Sequence, residues 1–173
     1  MALYQGDNLK QTKTAHKTNR FLTPGKNFEI IAKRIHKNDT LCKLLTRYND
    51  TPLDDKDPTL NERAEVLNNR VRPIPILEKE DEVGAYILLS TGSIVTMSEG
   101  LSFNISFDIL CNTDIWKLQG YHTRPMLIMN EIDAIFSDTK VSGIGKMNFL
   151  GATPLKINEK MLGYTMLFNI GEI

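Results

Sequence analysis

The stretch from Ser102 to Leu110, "SFNISFDIL", constrains this chain more than any other. Phe103, Ile105, Phe107 and Ile109 alternate with Asn104, Ser106 and Asp108. Side chains of an extended backbone point alternately to opposite faces, so the pattern predicts an antiparallel strand with one dry and one wet face. Such a strand needs neighbours to satisfy its backbone and an apolar layer to cover its dry side.

Helices able to supply that layer lie on both sides of it. In "NFEIIAKRI", Phe28, Ile31, Ala32 and Ile35 fall at i, i+3, i+4 and i+7, the stripe of an amphipathic helix. "LCKLLTRY" repeats the spacing with Leu41, Leu44, Leu45 and Tyr48, six residues out of step with the first stripe. A single straight helix would aim the two stripes at different faces. A break at "KNDT", with Asn38 or Asp39 capping a second helix, resolves this. After an acidic loop, "NDTPLDDKDP", Pro58 and the pair Thr59 and Glu62 form a capping pattern that opens a shorter helix to about Asn69. The clearest helix is "RPMLIMNEIDAIFSD". It carries Ile128, Met129, Ile132, Ile135 and Phe136 on one stripe, with Thr123 as cap and Pro125 in the first turn.

Neighbouring strands are equally legible. "GAYILLS" reads as a strand, and "GKMNFLGA" and "GYTMLFNI" as two more, the last with Tyr164, Met166, Phe168 and Ile170 on one face. "TGSIVTMSEG" is either a loop or a small projecting hairpin. "RPIPIL" cannot be a central strand, because Pro73 and Pro75 remove two donors; it is an edge or a polyproline-like crossover. The element order predicts an α+β fold: an antiparallel or mixed sheet of four to five strands with helices packed on one face.

A chain of 173 residues is expected to form one domain, and at that size it buries roughly 70% of its unfolded surface. The domain is assigned to residues 27–173, with a helical N-terminal half that contains the acidic loop 50–58 and a sheet-rich C-terminal half. Residues 1–26 lack either periodicity and carry Lys10, Lys13, Lys17, Arg20 and Lys26 against Asp7 alone. They are expected to form an extended basic arm, either frayed or ordered by a neighbouring subunit or nucleic acid. Between Asp50 and Asp57 four aspartates face one lysine. Because the formal net charge is zero, there is no global pull toward nucleic acid, membrane or acidic partners. Cys42 and Cys111 lie far apart among apolar neighbours and are expected to be reduced and buried. With no signal-peptide core and no membrane-spanning run, the expected setting is a reducing cytoplasm or a particle assembled there.

The search for chemistry returns little. "VSGIGKMNFLGA" resembles a phosphate loop at a glance. A phosphate loop, however, needs G-x-x-x-x-G-K followed by Ser or Thr and must open a helix. Lys146 is followed by Met147, and the glycines come after a helix and before a strand, which reads as a turn. His16, His36 and His122 have no second ligand three or four residues away, so no metal site is expected. His36 reads as a contact at a helix C-terminus. No Gly-x-Ser-x-Gly elbow is present. Asp108, Asp114, Glu131 and Asp133 read as a solvated face. No catalytic residue, metal ligand or cofactor is therefore assigned. Candidate contacts to other subunits or DNA are Lys10, Lys13, Lys17, Arg20 and Lys26. Candidate docking loops are Asp54, Asp55 and Asp57 in the acidic segment, and Ile94, Val95 and Met97 in "TGSIVTMSEG".

Taken together, "RPIPIL", "FDILCNTDIWKL", "TRPMLIMNEIDAIF" and "SGIGKMNFLGATPLKINEKMLGYTMLFNI" give a chain that resembles the small neck proteins of long-tailed bacteriophages, nearest to the tail terminators. The resemblance runs from about Asn27 to Ile173 and lies in element order: a helical pair, paired strands, an "RP…I…EI" helix and two closing strands. It implies an α+β subunit without enzymatic activity that assembles as a ring, of six copies in that family, around a channel through which DNA passes without sequence specificity. The ring would sit in the virion neck, with tail tube protein below and a head-completion or adaptor protein above. The long basic arm and the acidic loop depart from the family pattern, and head-to-tail subunit contacts could use such a charge split. Two alternatives stay open: a head-closure protein of the same neck, and a nucleic-acid-binding protein using its arm.

Overall fold

The computed structural model describes residues 22–74, 82–97, 100–137, 140–141 and 145–171. Its elements run α1 (Leu22–Ile35), α2 (Asp39–Thr46), α3 (Leu60–Glu65), β1 (Val71–Arg72), β2 (Ala85–Met97), β3 (Gly100–Asn112), α4 (Arg124–Phe136), β4 (Lys140–Val141), β5 (Gly145–Lys156) and β6 (Met161–Gly171). The fold is α+β, with a curled mixed sheet ordered β1-β2-β3-β6-β5-β4. It has six strands rather than four to five, because β1 and β4 are two-residue additions at opposite edges. Only β1 runs parallel to its neighbour, β2; the remaining pairs are antiparallel.

The alternating strand is β3, and it is central. Phe103, Ile105, Phe107, Ile109 and Cys111 are all buried on the helix side. There Phe107 meets Phe136 of α4 and Phe168 of β6 at centroid separations of 5.5 and 5.3 Å. Its wet face is bonded across strands: Ser106 to Ser90 at 2.5 Å, Asp108 accepting from Thr165 at 2.6 Å, and Asn104 accepting from Asn169 at 2.9 Å. Toward one end of that same face Tyr86, Leu88, Leu110 and Met161 form a second, smaller apolar cluster. Gly163, which pairs with Leu110, is indispensable there, since a Cβ would lie 1.7 Å from the Ile109 carbonyl oxygen.

Local rules account for the helices. Asn38 caps α2 by accepting from the Leu41 amide at 2.8 Å, and Leu41, Cys42, Leu44 and Leu45 are buried. Thr59 and Glu62 form the reciprocal capping box of α3, which continues as a single wide π turn, Val66–Arg70. Ile128, Ile132 and Phe136 of α4 are fully buried; Thr123 precedes that helix but makes no side-chain cap bond. Helix α1 begins at Leu22, so residues 22–26, assigned above to the arm, are helical. Pro24 is compatible with this because the first turn has no intrahelical use for its missing donor. Of the two readings of "TGSIVTMSEG", the structure has the hairpin: residues 91–97 extend β2 and the antiparallel β2–β3 ladder closes at Met97 and Gly100, with Ser98 and Glu99 outside the described residues.

Arg124 ties these parts together. Its side chain is fully buried and pairs with no carboxylate among the described residues. Its Nε donates to the Ile115 carbonyl at 2.9 Å. One terminal nitrogen donates to the carbonyls of Leu44 and Arg47 at 2.7 and 2.8 Å, and the other to Asn49 at 2.8 Å. Two of these acceptors are at the end of α2, where helix carbonyls lack partners and the dipole favours a cation. Removing the guanidinium would leave buried carbonyls bare. Arg124→Met should therefore lose at least about 3 kcal/mol in urea unfolding, with Arg124→Lys intermediate. A loss of under about 1 kcal/mol in Arg124→Met would remove the assigned role. Gly163→Ala should lower stability by about 2–3 kcal/mol, read in the same titration.

Candidate functional site

The acidic loop is built from the inside by basic residues on α2 and the turn after it. Lys43 donates to the carbonyl of Asp55 at 2.7 Å and reaches that of Leu53 at 3.5 Å. Arg47 donates to the Lys56 carbonyl at 2.8 Å while its Nε donates to Glu62 at 2.7 Å. Asn49 donates to the Asp55 carboxylate at 3.0 Å, and an Arg47 nitrogen lies 3.8 Å from it. The Lys43 bonds and the Arg47 bond to Lys56 use the backbone of the loop as acceptor, and Asp54, Asp55 and Asp57 are all exposed. Asp55 is therefore engaged by its own chain, and Asp54 and Asp57 present the freer carboxylates.

Beside this loop runs an open groove. Two adjoining spaces of about 350 and 140 Å³ share Asp50, Leu118 and Gln119 as walls. Lys117 and Gly120 complete one; Pro52, Leu53, Asp54, His122 and Leu127 line the other. The far wall is held by the Gln119 amide donating to the Asp50 carbonyl at 2.9 Å and the Leu118 amide donating to the His122 carbonyl at 2.9 Å. Gly120 turns the chain there with φ 76°. The groove mixes an apolar floor with side chains of both signs, which suits a peptide or a protein surface better than one small anion.

Of the other sequence candidates, Lys26 is exposed on α1. Lys10, Lys13, Lys17 and Arg20 lie outside the described residues. Ile94, Val95 and Met97 stand opposite Phe103, Ser102 and Gly100 in the β2–β3 ladder. Lys146 is a strand residue facing Lys140 across the β4–β5 pair, and Gly145 before it has φ 103°, as the turn reading requires. Glu131 is not purely solvated; it accepts from Asn38 at 3.2 Å, joining α4 to the α2 cap.

Among the described residues no three His, Cys, Asp or Glu side chains stand together as metal ligands, and no helix is long and apolar enough to cross a membrane. Burial pushes the Cys42 thiol up to about 11 and Cys111 up to about 12, so neither supplies thiolate near neutrality. Sequence reasoning missed Arg124 and the Arg47–Glu62 pair, because each joins residues distant along the chain. The signal available for Arg124 was only an arginine at the start of an otherwise apolar helix.

These features define the class: an α+β protein with a helix-backed sheet, a pinned acidic loop and a mixed-polarity groove. The chain belongs to the YomW family, whose model matches residues 38–170. That is a phage-derived, SPbeta-like family name, and it associates the chain with bacteriophage. No curated protein and no solved structure matches the chain.

Glu62 offers a test of the loop's construction. Hydrogen bonds from Arg47 first, then from the Thr59 amide, hold its carboxyl down at about 2. A carboxylate depressed on folding contributes stability that is complete above its unfolded value, near pH 4.3, and is lost as pH falls toward 2. Unfolding measured from pH 7 to 2.5 should show this loss, about 1–2 kcal/mol after solvent screening of a side chain 24% exposed. Glu62→Gln should be less stable at pH 7 by that amount and flatter across the same range. An unchanged acid slope in the variant would place the titration elsewhere.

Proposed function

We propose that this protein is a structural virion subunit that assembles as a ring at the phage neck, capping the tail tube and joining tail to head around a channel for DNA. The observation that carries the reading is the phage-derived family membership of a chain whose fold has the α+β character that the terminator resemblance implies. Buried, high-pKa thiols and carboxylates committed to caps and cross-strand bonds support a role without catalysis. The ring would be a homo-oligomer, of six copies by the resemblance, assembled in the host cytoplasm and retained in the virion. Tail tube protein would lie below it and a head-completion or adaptor protein above. The exposed Asp54 and Asp57 and the neighbouring groove are the surfaces offered to those partners, or to the basic residues of a second copy.

Native mass of the purified chain over a wide concentration range, with negative-stain images, should reveal closed rings, and tail tubes mixed with the protein should acquire a capped end. Rings that bind portal-side assemblies and leave tube ends open would reassign the protein to head closure. A chain that stays monomeric and leaves tube ends open would overturn the neck reading.

A further inference from the structure

Among the described residues the sheet ends in two open edges, and charge is scarce on both, with Lys156 at the end of one. On one side β1 covers only Ile87 and Leu88, so β2 from Leu89 to Met97 has no strand beyond it among the described residues. On the other side β4 covers Gly145 and Lys146, and Ser137 bridges Met147, so β5 from Asn148 to Lys156 is open in the same sense. The open stretches are of equal length, nine residues each (89–97 and 148–156). Open edges are ordinarily blunted with charge, proline, bulges or a covering element. Here no charged residue occurs from Ala85 to Met97 or from Met147 to Leu155. The helix layer covers β5 only at its start, where Met147 is fully buried: Phe149 is 42% and Leu150 56% exposed, and Ala152, Thr153 and Pro154 are exposed as well. A strand open along its edge, with Phe149, Leu150, Ala152 and Pro154 among its exposed side chains, has the charge-poor composition of an interface core.

The topology identifies a matching edge on the same molecule. Each step β2–β3, β3–β6 and β6–β5 is antiparallel, so β5 runs opposite to β2. A second copy set alongside without inversion brings its β2 edge to β5 antiparallel, and the sheet continues across the junction. We propose that the β5 edge of one copy pairs with the β2 edge of the next. This is a head-to-tail contact between unlike edges, which closes into a ring when the rotation between copies permits. Each edge carries an irregularity, between Thr91 and Ile94 on β2 and between Phe149 and Gly151 on β5, and Pro154 lacks a donor. These features blunt both edges against a flat, arbitrary strand, so the pairing requires a partner edge that accommodates them.

The inference rests on the ring reading, and the test separates the two. Charges placed on the exposed edge, in the double variant Ala152→Lys and Thr153→Lys, should leave the circular dichroism spectrum unchanged and convert the oligomer to monomer at concentrations where the unmodified chain assembles. An oligomer of undiminished mass in that variant overturns the edge pairing and leaves the ring reading standing. An unmodified chain that stays monomeric and leaves tube ends open overturns both. As a second readout, Thr91→Cys and Ala152→Cys in one chain, treated with a short bis-maleimide, should give a ladder of covalent multimers beyond the dimer. Each single variant should remain uncoupled. Dimers from a single variant would mean like edges pairing, and would overturn the head-to-tail arrangement.

Discussion

A single buried guanidinium decides how the helical half sits on the sheet. Arg124 lies at the first position of α4 and donates to carbonyls contributed by the end of α2, the turn that follows it and the segment after β3. A buried cation without a carboxylate is stable only if dipoles replace its water shell, and four carbonyls do so here. Burial still lowers its pKa, outweighing the opposing effects of Cys111 and Tyr48. The exchange is mutual: those carbonyls would otherwise be unpaired acceptors left dry at a helix end and two loops. The position of α4, the path of residues 47–50 and the placement of Ile115 are thus set by one side chain.

The same device recurs more weakly around it. Arg63 donates to the carbonyl of His36 at 3.0 Å, just beyond α1, and to Asp39 at the start of α2. Arg47 links the capping box of α3 to the acidic loop. Arg70 lies over the rings of Tyr48 and Tyr86, 5.7 and 4.9 Å from their centroids, and its Nε is 3.0 Å from Glu65. Each arginine fastens a turn to an element distant in sequence. The acidic loop consequently owes its shape to cations beneath it, and its outward carboxylates are the surplus that partners can meet.

The sheet contributes differently. Its centre, β3 with β2 and β6, is covered by apolar side chains on the helix side and knitted by hydroxyl, amide and carboxylate bonds on the other. Its margins are thin, since β1 and β4 are two residues each. The proposed ring contact therefore falls where the molecule has the least of its own structure to satisfy the backbone.

Periodicity and capping chemistry are local, and the sequence alone determined what depends on them: the alternating strand at β3, the stripes of α1, α2 and α4, a cap at Asn38 or Asp39, and the Thr59–Glu62 box. It also placed the acidic loop, but its docking role rested on charge alone, and charge does not reveal that Lys43, Arg47 and Asn49 already hold the loop. Only the tertiary structure decided the strand order, the extension of "TGSIVTMSEG" into β2, the addition of β1 and β4, and the partners of Arg124. Those outcomes depend on which surfaces meet across 75 to 80 residues of chain, as in the Arg124 bonds to Asn49 and Leu44. Burial and hydrogen-bond satisfaction at such distances arise from the whole packing, and leave no mark in the spacing of neighbouring residues.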